Sequence, residues 1–314
     1  MIWLSWRQQR TETLIAAVVF AIVVAVVLPT GLHIASVYDN QSIGACLAHP
    51  TDACRSNLDN FLGRWDSVVN IVTWFNLVPA IIGILLATPV VLEFERGTYR
   101  LAWTQSVARG RWLAVRLAFI GIGALLSGLL LTALMTWWRG PLDDVGSRLQ
   151  DGFDFEGLAP TAYTLFAAAL VLAIGVVLRR TSTAIGLAFV AFFVLRIGIL
   201  GWGREHYQAA VHKSWTTGDG PDLRGAWILS DIRGLRLTGG GAPDPRLIDS
   251  CLERSTKRLD SACLAQHHVV EYGAATFQPA DRFWTFQAIE AGIFGALTVA
   301  LVLFAIWWIR KRIN

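Results

Sequence analysis

The sequence predicts an all-α membrane protein with six transmembrane helices. Of its 314 residues, 54% are hydrophobic and 16% are charged, a balance that excludes an ordinary soluble globule. The apolar residues are gathered in runs of about 19 or more, the length of helix that crosses about 30 Å of hydrocarbon. The six predicted spans are 13–32, 68–92, 113–138, 160–178, 184–202 and 283–309.

The N-terminal segment, 1–12, is predicted to be a helix at the membrane interface. Trp3 and Trp6 stand beside Arg7 and Arg10, and amphipathic aromatic rings next to cations suit the lipid headgroup layer. The first apolar run is long and no small-residue cleavage site follows it, so it is interpreted as a span and not as a signal peptide.

The charge distribution predicts the orientation. With both termini in the cytoplasm, the inner segments are strongly basic and the longer outer loops are net acidic, although the whole chain carries only +4. The positive-inside rule favours this topology. Arginine greatly outnumbers lysine, a bias of GC-rich bacterial genomes, so we expect a bacterial cell membrane. The basic balance reflects membrane orientation and not nucleic-acid binding, because no soluble part carries a basic face.

All four cysteines lie in segments predicted to be external. Cys46 and Cys54 belong to the first outer loop, and Cys251 and Cys263 to the last. This placement suits two disulfides in an oxidising compartment, and metal binding is the alternative, although the spacing fits no zinc pattern. Three pairings are open, of which we favour the local ones. An unbroken helix would hold Cys251 and Cys263 about 18 Å apart, so their pairing requires the chain to turn back.

Three predicted external regions lie between the spans, and a fourth region contains the last span. The external loop 33–67 should be ordered by its disulfide, and 139–159 is acidic, interpreted as a solvated loop with cation binding as the alternative. The largest external region, 203–282, contains three consecutive glycines and a Pro-Asp-Pro turn, with a helix expected from Arg246. The last region, 283–314, comprises the sixth span and a basic cytoplasmic tail.

Polar and small residues inside the second span need an explanation. They recur at alternating spacings of three and four and so form one helix face. Close helix packing is the first interpretation, and lining of a substrate path is the functional alternative. Pro79 and Pro89 are expected to bend the helix. The face consists of Thr73, Asn76, Ala80, Gly83 and Ala87.

Two charges lie within predicted spans. Arg196 in the fifth span and Glu290 in the sixth are at similar depths from the outer side. Opposite charges at matched depth predict an intramembrane ion pair, because an isolated charge in hydrocarbon is costly. Arg196 could instead extend its guanidinium to the outer surface.

The chain carries no recognisable catalytic motif. It contains no Gly-x-x-x-x-Gly-Lys-Ser/Thr phosphate loop and no Gly-x-Ser-x-Gly nucleophile elbow. The sequence from His267 to Glu271 is not His-Glu-x-x-His. We therefore predict that the chain is not an enzyme and contains no metal or cofactor of its own.

The most informative segment, 93–112, joins the second and third spans. Gly97 can end the preceding helix, and Thr98 can cap a short new one. Leu101 and Trp103 would hold that helix against the bilayer surface. The plain alternative is an ordinary basic connector between two spans.

The run Glu93-Phe94-Glu95-Arg96-Gly97-Thr98 resembles the ABC-2 type permease family, the membrane subunits of ABCG-like exporters. Leu101 and the Ser106-Val107-Ala108-Arg109 turn extend the similarity, although Gln105 stands where many members have proline. The interfacial helix, the six spans and the disulfide-bearing external loop before span six match the family's layout.

The resemblance implies a permease subunit of an ABC exporter, with 93–112 as a coupling helix that docks on a separate ATPase subunit. ATP and Mg²⁺ would bind to that ATPase, and a second permease chain, identical or related, would complete the complex. The implied coupling residues are Glu93, Glu95, Arg96, Gly97, Thr98, Arg100, Leu101, Trp103, Gln105, Ser106 and Arg109. The implied substrate path contains Thr73, Asn76, Phe189, Phe192 and Phe193. The alternative is a membrane anchor or sensor whose external loop binds a ligand without transport.

Overall fold

A computed structural model describes residues 2–49, 52–100, 109–216, 220–253 and 258–312. The chain forms two compact units. The first contains Met1–Tyr207 together with Phe283–Asn314, and the second contains Gln208–Arg282. The predicted external region starts at residue 203, five residues before the second unit begins.

The first unit is a bundle of long apolar helices. Within the described residues, six helices are long and apolar enough to cross a membrane, which confirms the number and order of the predicted spans. The second span is divided between α3 and α4, and the fifth continues beyond α7 through short π and 3₁₀ turns to His206. The helices are α1 (Ile2–Asn40), α2 (Ile43–Ala48), α3 (Asp52–Thr73), α4 (Val78–Arg96), α5 (Arg109–Asp143), α6 (Ala159–Leu178), α7 (Thr181–Gly198) and, after the second unit, α10 (Phe283–Arg312).

The N-terminal helix is continuous with the first span, because α1 runs without a break from Ile2 to Asn40. Much of the predicted loop 33–67 is also helical, since the short α2 and the start of α3 follow directly. The Cys46–Cys54 disulfide joins α2 to α3 across a Cα separation of 5.6 Å. The local pairing predicted for these two cysteines is confirmed.

The second span contains one interruption. A 3₁₀ turn, Trp74–Leu77, separates α3 from α4, and Pro79 lies in the first turn of α4. Proline is tolerated there because its missing N–H has no partner in the first turn of a helix. Pro89, by contrast, lies inside α4.

Helix α6 is the most buried of the membrane helices and is apolar around its whole circumference. Small residues let it lie close to its neighbours. A Cβ on Gly83 of α4 would collide with the backbone of Thr164, and one on Gly128 of α5 would lie 2.6 Å from the Cα of Thr161. Ala80 and Ala87 are also fully buried. Helix packing therefore accounts for this part of the small-residue face.

The second unit contains a three-stranded antiparallel sheet, which the predicted all-α fold does not include. Its strands are ordered β1-β5-β2, with β5 paired on both sides. Short helices and a two-stranded hairpin follow β2, including a helix at the position expected from Arg246. The elements are β1 (Val211–Thr216), β2 (Trp227–Leu237), α8 (Pro245–Ser250), β3 (Leu252–Glu253), β4 (Arg258–Leu259), α9 (Ser261–Gln266) and β5 (Val269–Gln278).

The second disulfide, Cys251–Cys263, spans a Cα separation of 5.5 Å. The chain turns back between the two cysteines because β3 and β4 pair as a hairpin, as the predicted local pairing required. Among the described residues, the only group of side chains close enough to hold a metal ion is Cys251, Cys263 and His267. The disulfide uses both thiols of that group, so it offers no thiolate ligands.

Candidate functional site: the connection between the second and third spans

The connection begins where α4 ends. Gly97 adopts a left-handed conformation with φ of 70°, which a side chain would strain, and so ends the helix. The Thr98 hydroxyl donates to the carbonyl of Glu93 at 3.5 Å, back towards α4, and so differs from the forward cap that the sequence suggested. Tyr99 and Arg100 begin a new helical turn, with the Arg100 N–H donating to the carbonyl of Gly97 at 3.1 Å.

A buried ion pair joins the two helices that flank the connection. Arg116 of α5 donates through Nη2 to Oε1 of Glu93 in α4. Both residues are buried, with 3% of the surface of Arg116 and 9% of the surface of Glu93 exposed. An uncompensated charge in such a place would be costly, so the pair holds the end of α4 against the start of α5.

Aromatic rings enclose this ion pair. Phe94 contacts the rings of Tyr99 and Trp112, with centroid distances of 5.1 and 5.9 Å. The guanidinium of Arg116 lies 5.9 Å from the centre of the Trp112 ring. Because Phe94, Tyr99 and Trp112 are all buried, the first turn after Gly97 is packed against both helices.

Glu95 connects α4 to a third helix. Its Oε2 accepts a hydrogen bond of 2.9 Å from the backbone N–H of Thr181, the first residue of α7. The residue before it, Arg180, provides no side-chain cap for that helix. A carboxylate at a helix N-terminus satisfies a free N–H and complements the helix dipole. Glu95 therefore caps α7 from a different part of the chain.

Exposed basic side chains surround the connection and the neighbouring helix ends. Gly110 at the start of α5 lies close to the end of α10, since a Cβ there would be 3.9 Å from Nη2 of Arg310. The exposed cations at these helix ends are Arg96, Arg100, Arg111, Arg179, Arg180, Arg310, Lys311 and Arg312.

The structure describes only part of the predicted coupling segment. Glu93, Glu95, Gly97 and Thr98 have the local roles given above, while Arg96 and Arg100 are exposed. Arg109 is the first residue of α5, and its side chain is outside the described part. Four further predicted residues lie outside the described residues altogether, namely Leu101, Trp103, Gln105 and Ser106.

A second polar centre lies among the ends of α6, α7 and α10 that are remote from the connection. Arg204, just after α7, donates to Glu290 of α10 at 2.9 and 3.0 Å and to Asp154 at 2.6 Å. Arg196 pairs with Asp154 at 3.2 Å and donates to Asn76 at 3.4 Å. Two arginines thus face two carboxylates, and the charges balance inside the protein.

Two tyrosines complete this charge network. The Tyr163 hydroxyl lies between Asp154, at 3.2 Å, and Glu290, while Arg196 lies 4.2 Å above the Tyr163 ring. Tyr207 donates to Glu290 at 3.1 Å. Burial acts to raise the pKa of Asp154, but Arg196 and Arg204 together outweigh it, so the pKa is lowered and Asp154 is ionised.

The predicted direct pair between Arg196 and Glu290 is wrong. Arg196 is paired with Asp154, and Glu290 with Arg204, so each charge is compensated by a different partner. The predicted fifth span ends at residue 202, which leaves Arg204 outside it. The signal was present, because Arg196 and Arg204 are eight residues apart and such positions share one helix face.

Comparison with known proteins gives one match. The family model described as ABC-2 membrane transporter related matches residues 17–204, which is more than half of the chain. The chain belongs to the ABC-2 membrane transporter related family. The match includes the connection and ends at Arg204. No curated protein and no solved structure matches the chain significantly. This ABC-2 related protein is therefore a multi-pass membrane component of a transporter.

In this ABC-2 related chain, the acidic segment 139–159 is not a solvated loop. Glu156 is 1% exposed and accepts from Arg148 at 2.7 Å. Gln287 of α10, also fully buried, accepts from the N–H groups of Leu158 and Ala159 at 2.9 Å each, so it caps α6. Neither Glu156 nor Gln287 was predicted as a site residue, because burial of a polar side chain depends on how the chain packs in three dimensions and not on a local sequence pattern.

The predicted substrate-path residues of the ABC-2 related chain differ in their surroundings. Thr73 is exposed and donates to its own helix at the carbonyl of Val69, 2.9 Å away. Asn76 contacts Arg196. Phe192 is fully buried, with its ring centroid 6.3 Å from that of Tyr163. Phe193 is half-buried and Phe189 is exposed, and their ring centroids lie 4.7 Å apart.

Proposed function

We propose that this chain is the permease subunit of an ABC exporter, driven through the segment 93–112 by a separate ATPase subunit. The observation that carries the proposal is the bonding at this connection. Glu93 joins α4 to α5 through Arg116, and Glu95 joins α4 to the N-terminus of α7. A force applied to the connection would therefore reach three membrane helices together.

The same bonding supports a mechanical role. The ring of Tyr99 packs on Phe94 and Trp112, so the turn after Gly97 cannot move without its neighbours. A tightly packed element passes a displacement to the helices it contacts if the bundle has two packings of similar energy. ATP and Mg²⁺ would bind on the ATPase, and this chain would contribute no nucleotide site.

The docking surface for the ATPase would include Arg96 and Arg100, both exposed at the end of α4 and the turn that follows. Because these side chains are basic, we expect acidic side chains on the ATPase where the connection docks. A second permease chain, identical or related, would complete the translocation path, since α6 fills the centre of this bundle.

The orientation follows from the exposed cations. Basic side chains are concentrated at the ends of α4, α5, α7 and α10 that surround the connection. By the positive-inside rule we propose that this side, together with both termini, faces the cytoplasm of a bacterial cell. The disulfide-bearing unit Gln208–Arg282 then lies outside, in an oxidising compartment.

The proposal is tested by co-expressing the full chain with the product of a neighbouring ATPase gene. The variant R96E/R100E reverses two exposed charges at the connection and keeps the Glu93–Arg116 and Glu95–Thr181 contacts that join the helices. It removes one local contact, the hydrogen bond of 3.4 Å from Nε of Arg100 to the Tyr99 hydroxyl. R312E, an exposed reversal at the end of α10, is the matched control. We expect R96E/R100E to weaken co-purification or lower ATP turnover about tenfold or more, and R312E to leave both near the wild-type level.

Unchanged assembly and turnover in R96E/R100E would contradict the docking assignment.

The alternative function is a membrane anchor or sensor, and the compact second unit with its own disulfide is the observation that favours it. A sensor would reach the membrane and fold without any ATPase partner. Failure of every neighbouring ATPase to bind the wild-type chain would therefore favour the alternative.

A further inference from the structure

The segment between α5 and α6, residues 144–158, folds over a cluster of charged side chains. Asp143 of α5 and Asp151 and Glu156 of the segment are the acids of the cluster. Arg139 of α5 and Arg148 of the segment are its cations. Three carboxyl groups thus face two guanidinium groups, which leaves one negative charge uncompensated if all three acids are ionised.

One oxygen of Glu156 has no hydrogen-bond partner among the described residues. Its Oε2 accepts from Nε of Arg148 at 2.7 Å, but Oε1 is buried without a hydrogen bond in the part of the chain that the structure describes. Nε of Arg139 lies 3.8 Å away and donates to Asp143 instead, at 3.1 Å. A buried oxygen in this situation costs free energy unless it finds a donor or carries a proton.

The carboxyl groups of Asp143 and Glu156 converge on one nitrogen, Nε of Arg139, which lies within 3.8 Å of an oxygen of each. Two ionised carboxylates cannot bond to each other, since neither has a hydrogen to donate. If one of the two carboxyl groups carries a proton, it can donate a hydrogen bond to the carboxylate of the other residue. Gly152 lets the segment close over this site, as a Cβ there would lie 3.0 Å from Arg139 and 3.2 Å from Asp143.

We propose that Glu156 and Asp143 form a proton-binding site that holds one shared proton, and that loss of this proton loosens the segment 144–158 from α10. With the proton bound, the remaining two negative charges balance Arg139 and Arg148. Without it, the buried cluster carries a net negative charge, which favours entry of water and opening of the segment.

The segment contacts the start of α10 directly, so its opening would affect that helix. The guanidinium of Arg148 lies 4.0 Å from the ring centre of Phe283 and 5.5 Å from that of Trp284. Gln287 donates to the carbonyl of Phe153 at 2.7 Å. A change at Glu156 therefore alters the side chain, Arg148, that packs on α10.

The electrostatic surroundings agree with this geometry. Burial, and then Asp143, raise the pKa of Glu156 to about 8, against the opposing effect of Arg148. Burial raises the pKa of Asp151 as well, with Arg139 acting against it. Since the pKa of Glu156 is raised in the folded state, its contribution to stability is complete below its ordinary value of 4.5. It is lost as the pH rises through about 8.

Infrared spectroscopy of the full chain in lipid nanodiscs tests the site. The C=O stretch of a protonated carboxyl should be visible at about pH 6 and disappear with a midpoint near pH 8. E156Q should lack this band, whereas D59N, which changes an exposed carboxylate, should retain it. D143N should move the midpoint down by about one pH unit or more, because it removes the like charge.

A titrating band that is identical in wild type and E156Q, or absent from the wild type at about pH 6, would overturn the proposal. Stability gives a second measurement. A glutamine donates its amide to Asp143 and carries no charge, so E156Q should melt at or above the wild-type temperature in alkaline buffer and depend less on pH. If Glu156 is instead an ionised partner of Arg148, E156Q will be destabilised in alkaline buffer, and the shared proton is refuted.

Discussion

Glu95, one residue before the end of α4, accepts a hydrogen bond of 2.9 Å from the backbone N–H of Thr181, the first residue of α7. The two residues are 86 positions apart in the sequence. Glu95 is exposed, as are its neighbours Arg96 and Arg100. A residue predicted to contact an ATPase thus also anchors a membrane helix, and the two roles can be separated by substitution.

Replacing Glu95 with alanine should loosen the first turn of α7. The N–H of Thr181 would lose its carboxylate acceptor, and Arg180 offers no side-chain cap in its place. We expect faster amide hydrogen exchange at Thr181 and in the turn after it, measured by mass spectrometry in nanodiscs. E95Q, which keeps an acceptor oxygen, should exchange more slowly than E95A, and equal rates in the two variants would argue against a capping role.

Removing one partner of the Glu93–Arg116 pair should destabilise the bundle. R116M leaves the carboxylate of Glu93 buried without its cation, a change that costs about 3–5 kcal/mol in known cases. The double variant E93M/R116M should recover most of the loss, because it leaves no unpaired charge. Thermal unfolding in detergent measures the loss in R116M and its recovery in E93M/R116M. R111M, at an exposed position of the same helix, is the control. Equal melting temperatures for R116M and R111M would contradict the prediction.

Adding a methyl group to Gly83 should force α4 away from α6. The new Cβ would collide with the carbonyl of Thr164, and backbone atoms of a packed helix cannot move aside cheaply. We expect G83A to lower the free energy of unfolding by about 1–3 kcal/mol. G121A is the matched control, since a Cβ at Gly121 meets nothing within 4 Å and alanine favours helix. A G83A protein as stable as G121A would show that the two helices are not in close contact.

The charge network around Arg204 should give a pH-dependent response. R204M leaves Asp154 and Glu290 with too few cations, so we expect a loss of about 3–5 kcal/mol near neutral pH. In the wild type the pKa of Asp154 is lowered, against the effect of burial, by Arg196 and Arg204. The contribution of Asp154 to the stability of the fold is therefore present when the pH is above its ordinary pKa of 3.8, and it is lost as the pH falls below that value.

In R204M, acid should have the opposite effect over a mildly acidic range, because protonation relieves the excess negative charge. The difference in melting temperature between wild type and R204M should therefore shrink as the pH falls. R233M, which breaks an exposed pair with Asp231 in the second unit, should differ little from wild type at any pH. A constant difference between wild type and R204M would refute the network as the cause.

Local sequence signals were sufficient to predict several features of the structure. Gly97 ends α4 because a left-handed residue without a side chain stops a helix, whatever surrounds it. The pairing of Cys251 with Cys263 follows from their proximity in the chain once the segment between them turns back. Arg204 could have been found as well, from its spacing to Arg196, but the end of the span was placed too early.

Other features depended on residues that are far apart in the sequence. The sheet formed by β1, β2 and β5 joins strands separated by tens of residues, and its central strand contains Gly273 and alanines in place of a strong alternating pattern. The contact of Glu95 with Thr181 likewise joins residues that are far apart in the sequence. Such contacts depend on the tertiary packing of the chain, and no local sequence pattern specifies them.

The sequence by itself determined the class of the protein, the number of its spans and the family to which its connection belongs, because hydropathy and helix-ending signals act over short stretches of chain. Only the tertiary structure decided which charges meet. Arg196 pairs with Asp154 and not with Glu290, and Arg139 approaches both Asp143 and Glu156, because a buried charge pairs with the opposite charge that the folded chain brings nearest.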